Sequence, residues 1–332
     1  MTPAFVLLLT SVHLAAASDP ASLLALGTEA LEAKHFADAR PLLEEAHRLG
    51  PEDPEAAHQL ARLLLEDKGP VDRAVGLLEA AVARNPNVAA YHLSLGLAYS
   101  RQAGEGMFRA ALLAGKIKVE FLRAVELAPT SMQARQALHA FYLRAPGILG
   151  GSLDQAGAQA AVMAVLDPFA GSVAWMAVHA QRKAWPEFDK AAREAARAAA
   201  NDKARARLAY LLINQGYEAL QSKDAVRAAD EFRLASEVEP SNPNTFDSLG
   251  EALLALGAWD AAEGTFRRSL ALGPDPRIAS SSRFGLGRAL EGSGDRAGAR
   301  EAYQAAIVSA PDPELVKKAR ARIESLADTR KP

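Results

Sequence analysis

Residues 243–276 decide how this chain folds, and they read P-N-T-F-D-S-L-G-E-A-L-L-A-L-G-A-W-D-A-A-E-G-T-F-R-R-S-L-A-L-G-P-D-P. Small and apolar residues recur at helical spacing in a first run, which consists of Phe246, Leu249, Gly250 and Leu253. Gly257 interrupts the pattern, and a second run follows, made of Trp259, Ala262, Phe266 and Leu270 and ended by Pro274. This pattern predicts two short antiparallel helices. One such hairpin cannot bury its own apolar face, so several copies must stack.

The stretch resembles the tetratricopeptide repeat (TPR), a helix–turn–helix unit of about 34 residues. Phe246 stands at the first aromatic position of that motif and Leu253 at its large apolar position, while Ala262 and Phe266 match the second helix. Pro274 matches the terminal proline. Packing explains the pattern, because Gly250 is small where two helices cross closely and the aromatic rings fill the remaining space.

Further copies of the same pattern cover nearly all of the chain, and they are weaker only in residues 103–202. They start near residues 20, 54, 88, 131, 169, 209 and 280, in addition to the stretch quoted above. The resemblance implies an all-α, right-handed superhelical TPR solenoid of about eight repeats over residues 19–312, irregular in 103–202. Residues 313–327 carry lysine and arginine on an amphipathic pattern, and we expect them to form a polar C-terminal capping helix.

The middle of the chain departs from the regular repeat in two places. In the third repeat, 30 residues separate Tyr99 from Pro129 where a regular repeat has 21, and we expect the extra residues to extend the helix of residues 107–127. In the fourth, the loop Ala145–Ser152 reads A-P-G-I-L-G-G-S. Its glycines permit either a phosphate cradle or a plain turn in which Ser152 caps the next helix, and we favour the turn. This region resembles exported bacterial TPR proteins, including T-component proteins of TRAP-type uptake systems.

The N-terminal residues 1–18, MTPAFVLLLTSVHLAAAS, contain no acidic, lysine or arginine side chain. The apolar run is too short for an ordinary membrane-spanning helix and ends in small residues of the A-x-A type. We expect a cleavable signal peptide and an exported, periplasmic protein, with secretion as the alternative. With no later apolar stretch of comparable length, no stable membrane anchor is expected.

Composition restricts the partners and the chemistry. Charge is nearly balanced, with 38 basic and 40 acidic residues, so the sequence does not predict a nucleic-acid partner. Cysteine is absent, which leaves no disulfide or thiol chemistry. The seven histidines show no metal-pair spacing, and no G-x-S-x-G or H-E-x-x-H motif occurs. We therefore expect no catalytic residue, no metal and no cofactor, and the oligomeric state stays open.

In TPR solenoids the first helix of each repeat lines a concave surface that binds extended or helical peptides. The resemblance places these residues there: Glu55, His58, Arg62, Ser94, Arg101, Tyr210, Asn214, Tyr217, Asp247, Glu251 and Arg288. The Lys/Asn clamp by which some family members grip a C-terminal carboxylate is missing, since Leu24 and Thr28 stand at the matching positions. A protein or peptide is the expected partner.

The alternative function is a small-ligand-binding accessory of a transport system. Its pocket would lie between the long helix and the glycine-rich loop, at Lys116, Tyr142, Arg144, Gly150, Gly151 and Ser152. The two functions differ in which changes abolish binding: Tyr210 and Tyr217 to alanine for a scaffold, and changes at Tyr142, Arg144 or Gly150 for the pocket.

Overall fold

A computed structural model describes residues 19–309 and 312–328, so the predicted signal peptide of residues 1–18 lies outside the described residues. Seventeen α-helices occur in the described part: α1 (Pro20–Glu32), α2 (Phe36–Leu49), α3 (Pro54–Glu66), α4 (Val71–Arg84), α5 (Ala89–Ala103), α6 (Met107–Leu127), α7 (Met132–Arg144), α8 (Leu153–Leu166), α9 (Pro168–Arg182), α10 (Trp185–Ala198), α11 (Asp202–Gln221), α12 (Ala225–Val238), α13 (Pro243–Ala255), α14 (Trp259–Ala271), α15 (Pro276–Ser293), α16 (Arg296–Ser309) and α17 (Pro313–Asp328). A short 3₁₀ helix, Gly147–Leu149, lies between α7 and α8. No strand occurs in these residues, which confirms the all-α prediction.

Local capping signals explain where many first helices begin. Asp19 accepts a hydrogen bond from the backbone N–H of Ser22 at 3.0 Å, and Pro20 occupies the first turn of α1. In the same way Asn242 caps α13 ahead of Pro243. A side-chain oxygen satisfies an otherwise unpaired N–H, and proline is tolerated there because its missing N–H would have no helical partner.

The first sixteen helices follow one another as eight helix–turn–helix pairs, and α17 comes last, as the repeat pattern predicts.

The chain comprises two compact units, unit 1 up to Phe188 and unit 2 from Asp189, with the boundary inside α10. Within unit 1, consecutive helices pack against each other from α1 through α9, the last such pair being α8 and α9, and the first helices α1, α3, α5, α7 and α9 contact one another in sequence. Unit 2 repeats this arrangement from α11 onward, where α11 contacts α13 and α13 contacts α15. In each unit the first helices therefore form one side.

The predicted close crossing of the two helices of a repeat is present in unit 2. A Cβ on Gly250 of α13 would lie 2.6 Å from ring atoms of Phe266 on α14, and Phe266 is fully buried. The same relationship recurs one repeat earlier, where a Cβ on Gly216 would lie 2.5 Å from Phe232. Glycine is required at these positions because any side chain would overlap the ring that fills the crossing.

The irregular third repeat keeps this crossing and adds length elsewhere. A Cβ on Gly96 of α5 would lie 2.5 Å from Phe121 of α6, although nine more residues separate these two than separate Gly250 from Phe266. The additional residues form the first turns of α6, where Met107 and Phe108 are exposed. The predicted helix of residues 107–127 is confirmed.

Two helices begin earlier than the repeat pattern predicts. The sixth repeat starts with α11 at Asp202 rather than near residue 209, because Asn201 accepts a hydrogen bond from the N–H of Ala204 and caps the helix there. The eighth starts with α15 at Pro276 rather than near residue 280, because Asp275 caps it. No helix of the described residues is both long and apolar enough to cross a membrane.

Candidate partner-binding site

A groove of about 620 Å³ runs across three consecutive first helices of unit 1, α3, α5 and α7. Its lining residues are Arg62, Leu65, Glu66, Leu93, Ser94, Leu97, Arg101, Gln133, Gln136 and Ala137. The structure thus brings together three predicted contact residues, Arg62, Ser94 and Arg101. Leucine side chains of α5 supply apolar surface, and Leu97 is 47% exposed. The groove therefore offers both apolar and polar contacts to a bound segment.

Arg62 is held in place by neighbours on its own helix and the preceding repeat. Its guanidinium donates to Glu32 at 2.8 Å and to Gln59 at 2.9 Å, and it lies 3.7 Å from a Glu66 oxygen. These contacts fix the orientation of the side chain, and the two carboxylates compensate its charge.

Arg101 is different because its partner is neutral. Its guanidinium donates to the backbone carbonyl of Leu65, one of the last carbonyls of α3, which have no partner within the helix. Arg101 makes no ion pair within the part of the chain that the structure describes. Arg101 is therefore a positive charge in the groove without an ion-pair partner, and an acidic group on a bound segment can pair with it.

Below the groove, Glu55, His58, Tyr91 and Ser94 form a hydrogen-bonded cluster. Glu55 accepts from Tyr91 at 2.8 Å and from Gln59 at 2.6 Å, and His58 Nε2 lies 3.0 Å from Ser94 Oγ. The contact with His58, together with the bonds from Gln59 and Tyr91, lowers the pKa of Glu55 to about 2. Since His58 is buried, the structure corrects its predicted position on the surface. It orients Ser94 from below.

The side chains of Ser94, His58 and Glu55 lie next to one another in the serine–histidine–carboxylate succession of a catalytic triad, but their geometry does not support catalysis. The distance from His58 Nδ1 to Glu55 Oε1 is 3.6 Å, too long for the hydrogen bond that orients the imidazole in such triads. Ser94 lies in the interior of α5, where helical hydrogen bonds occupy the neighbouring backbone N–H groups. No backbone donor is therefore available beside Ser94 to stabilise an oxyanion.

In unit 2 the predicted row on α11 is partly exposed. Tyr210 is 63% exposed, and neither Tyr210 nor Asn214 makes a side-chain hydrogen bond within the described residues. Tyr217 instead lies 2.9 Å from Ser248 of the next repeat and packs edge-on against Phe232 at a centroid distance of 5.1 Å. Tyr217, which is 39% exposed, therefore also contributes to packing between repeats, whereas Tyr210 and Asn214 are exposed without such a contact.

The remaining predicted contacts of unit 2 are engaged between α13 and α15. Asp247 is only 5% exposed and accepts hydrogen bonds from Ser282 at 2.7 Å and Ser281 at 3.0 Å. Burial raises the pKa of Asp247 to about 6. Glu251 accepts from Arg288 at 2.8 Å. The predicted surface position of Asp247 is corrected: its carboxyl joins two repeats.

A second cavity, of about 370 Å³, lies in unit 1 between α5, α6, α7 and the loop after α7. Only Arg144 of the six predicted pocket residues lines it. Tyr142 is buried in the core with Lys118 over its ring at 5.7 Å. The Lys116 ammonium instead lies 3.7 Å from a Glu79 carboxylate oxygen and over the ring of Tyr99.

The other three predicted pocket residues shape the loop. Gly150 has a left-handed backbone with φ of 95°, and a Cβ on Gly151 would lie 1.7 Å from the carbonyl oxygen of Ala145. Ser152 accepts a hydrogen bond from the N–H of Gln155 at 3.3 Å and caps α8. The interpretation of this loop as a turn ending in a cap is confirmed. Among the described residues no group of three potential metal ligands occurs.

Sequence reasoning missed most of the groove and pocket lining. Leu93 and Leu97 precede the predicted Arg101 by eight and four residues on α5, and Gln133 and Gln136 are one turn apart on α7, so helical spacing was an available signal. The alanines Ala110 and Ala114 of α6 show the same spacing and face the second cavity.

Comparison with known proteins gives a consistent family match. Models of the tetratricopeptide repeat match residues 30–97 and residues 248–315. No curated protein sequence matches the chain.

Several solved structures share the helical-repeat pattern at low similarity. MamA from MSR-1 is 21% identical, with a TM-score of 0.42, over 54% of this chain and 97% of that one. Yeast Tom70 is 15% identical, with a TM-score of 0.44, over 90% of this chain and 60% of that one. A tetratricopeptide repeat protein from Parabacteroides merdae is 9% identical, with a TM-score of 0.45, over 92% of this chain and 98% of that one. Likeness at this level carries no conclusion about function.

Proposed function

The chain belongs to the tetratricopeptide repeat family, and from that premise we propose that it is a non-enzymatic scaffold or assembly factor that binds a protein or peptide. One observation carries the proposal: the groove on α3, α5 and α7 combines exposed leucine surface with Arg101, which has no ion-pair partner among the described residues. Repeat arrays use such surfaces to bind extended or helical segments.

The groove favours a segment with an apolar side chain near an acidic one. Leu93 and Leu97 supply the apolar contact, and Arg101 the positive charge. Gln133 and Gln136 are exposed on α7 and each carries both a donor and an acceptor, so they suit the backbone of an extended segment.

The cellular site belongs to the same proposal. Residues 1–18 support export to the bacterial envelope, because their short apolar run ends in the small residues Ala15, Ala16, Ala17 and Ser18. A scaffold acting there would meet periplasmic or secreted partners.

A second candidate function is the binding of a small solute as an accessory of a transport system. The cavity of about 370 Å³ beside the long helix α6 favours it, since its size falls in the range of about 300–1,000 Å³ that small-molecule pockets occupy.

A pull-down from envelope extract tests the scaffold, with the chain beginning at Asp19 as bait and mass spectrometry as readout. The groove variant is Gln133→Glu/Gln136→Glu, which adds two negative charges to exposed lining positions with little change in shape. The matched control is Gln155→Glu/Gln181→Glu, two exposed glutamines of unit 1 outside the groove.

We expect a stoichiometric partner that the control retains and the groove variant loses, with binding weaker at high salt. Retention by the groove variant but loss on Tyr210→Ala would move the site to α11 of unit 2. Tyr210→Ala is a cleaner test than a change at Tyr217, whose hydroxyl contacts Ser248 of the next repeat. Absence of any partner would reject the scaffold and leave solute binding as the remaining candidate.

A further inference from the structure

The second cavity of unit 1 has almost entirely apolar walls. α6 contributes Ala110, Ala114, Ile117 and Phe121, and the loop after α7 contributes Pro146 and Leu149. Alanine at two successive turns of α6 leaves the space that larger side chains would fill. An apolar cavity of this size gains stability when an apolar molecule occupies it, because its walls recover the dispersion contacts they lack.

Two polar side chains line the cavity, and they differ in whether they are free to bind a ligand. The hydroxyl of Ser100 already donates to the carbonyl of Gly96 at 2.7 Å. Arg144, the last residue of α7, lines the cavity and is also exposed, which places it at the rim. Within the described residues Arg144 has neither a hydrogen-bond nor an ion-pair partner. The rim therefore presents one unpaired guanidinium next to an apolar interior.

We infer that this cavity binds a small amphipathic anion, an apolar chain or ring with a single carboxylate that pairs with Arg144. This inference rests on the second candidate function and specifies its ligand class. The apolar part fills the space between α6 and the loop, and the carboxylate stays at the rim, where the guanidinium can donate two parallel hydrogen bonds to it.

Size restricts the ligand further. A volume of about 370 Å³ lies near the lower end of small-molecule pockets, which suits a medium-chain or aromatic acid rather than a long lipid. One side chain of a bound peptide would leave much of that volume empty and its walls without contacts. A free small molecule is therefore the better occupant.

Isothermal titration calorimetry with decanoate tests the inference, with decyltrimethylammonium as a probe of the same chain length and opposite charge. We expect decanoate to bind below its micellar concentration and to bind more tightly than the cation. Arg144→Gln should weaken decanoate by about 10-fold or more, because a charge-assisted hydrogen bond is lost, and should not weaken the cation. Arg207→Gln, an exposed arginine of α11 that does not line the cavity, should change nothing.

A cavity-filling variant separates specific binding from adsorption. Ala110→Trp occupies the cavity from α6 at a partly exposed position and should abolish decanoate binding, with circular dichroism confirming retained helix. The inference is overturned if wild-type protein does not bind decanoate, if Arg144→Gln binds it equally well, or if Ala110→Trp still binds it. The titration requires no protein partner, so its failure leaves the scaffold proposal standing, and failure of the pull-down does not affect the titration.

Discussion

Gly250 and Phe266 cross so closely that a Cβ on the glycine would lie 2.6 Å from the phenylalanine ring. Gly285 of the following repeat also meets this ring, and a Cβ there would lie 2.3 Å away. Because Phe266 is fully buried and in contact with both glycines, it has little room to move when either acquires a methyl group. This contact joins the seventh repeat to the eighth.

Gly250→Ala should therefore reduce the free energy of unfolding by about 1–3 kcal/mol, the usual cost of overpacking a core. Urea denaturation followed by circular dichroism measures the change. Gly264→Ala is the matched control, since Gly264 lies in α14 with nothing within 4 Å of its Cβ position. The control should stabilise by about 0.5–1 kcal/mol, because alanine favours helix over glycine. Equal effects of the two variants would show that the crossing is not tightly packed.

Glu231 in α12 should make the stability of the protein depend on pH. Burial, with the nearby charge of Asp189, raises the pKa of Glu231 to about 8 against 4.5 for the free side chain, and one carboxylate oxygen has no hydrogen-bond partner in the described residues. The unfolded chain releases this proton above 4.5 while the folded chain retains it to about 8. Stability should therefore fall as pH rises through this window.

Glu231→Gln should make stability depend less on pH, most clearly between pH 6 and 8. Below that window Asp247 also titrates, because burial raises its pKa to about 6. At pH 8 the variant should be more stable than wild type by about 1–3 kcal/mol, because no charge is then buried. Thermal denaturation at several pH values measures this, with exposed Glu237→Gln as control. If stability fell equally steeply with pH in Glu231→Gln and in wild type, a group other than Glu231 would cause the pH dependence.

Ser94 should not behave as an enzymatic nucleophile, despite its contact with His58 at 3.0 Å. The interior of α5 provides no free backbone N–H to stabilise a developing oxyanion. We expect no labelling by a fluorophosphonate probe, measured by intact mass against a serine hydrolase as positive control. Labelling of wild type that disappears in Ser94→Ala would contradict the non-enzymatic assignment.

The N-terminal residues should be removed on export. Expressed in a bacterium with its own N-terminus, the chain should appear in the periplasmic fraction beginning at Ser18 or Asp19, according to which pair of small residues is used. Intact mass of the fractionated protein measures this. Ala17→Arg together with Ser18→Arg changes the residue before each of the two cleavage points and should block cleavage, and a full-length wild-type chain confined to the cytoplasm would contradict the prediction.

The repeat architecture could be predicted because its signals are local. Gly250 and Phe266, sixteen residues apart, specify one hairpin by themselves, and the capping residues Asn242 and Asp275 specify where helices begin. Even the lengthened α6 follows from spacing alone.

Turn residues were less predictable. Gly257 and Gly294 adopt left-handed backbones, and Lys34 and Lys223 do the same in the corresponding turns of other repeats. Lysine has no preference for that conformation, so the fold imposes it.

The site could be predicted only in part because its decisive contacts are distant in sequence. Whether an outward residue is free depends on the neighbouring repeat. Asp247 accepts a hydrogen bond from Ser281, 34 residues later, whereas the partner that the described residues give Arg101 is a backbone carbonyl. The repeat pattern predicts on which face of a helix a residue lies, but not which side chains of the neighbouring repeat it contacts. The apolar cavity depends on alanines that also suit an ordinary helix, so its volume emerges only from the packed structure.

Site-specific photo-crosslinking in living cells can detect protein binding at the unit 1 groove. A photoreactive phenylalanine analogue replaces Gln136, which is exposed in the groove, or Gln155, which is exposed on α8 outside it. We expect a discrete crosslinked protein from position 136 that is absent from position 155 and lost when Arg101→Gln is added. No crosslink at position 136, or the same products from both positions, would contradict protein binding at this groove.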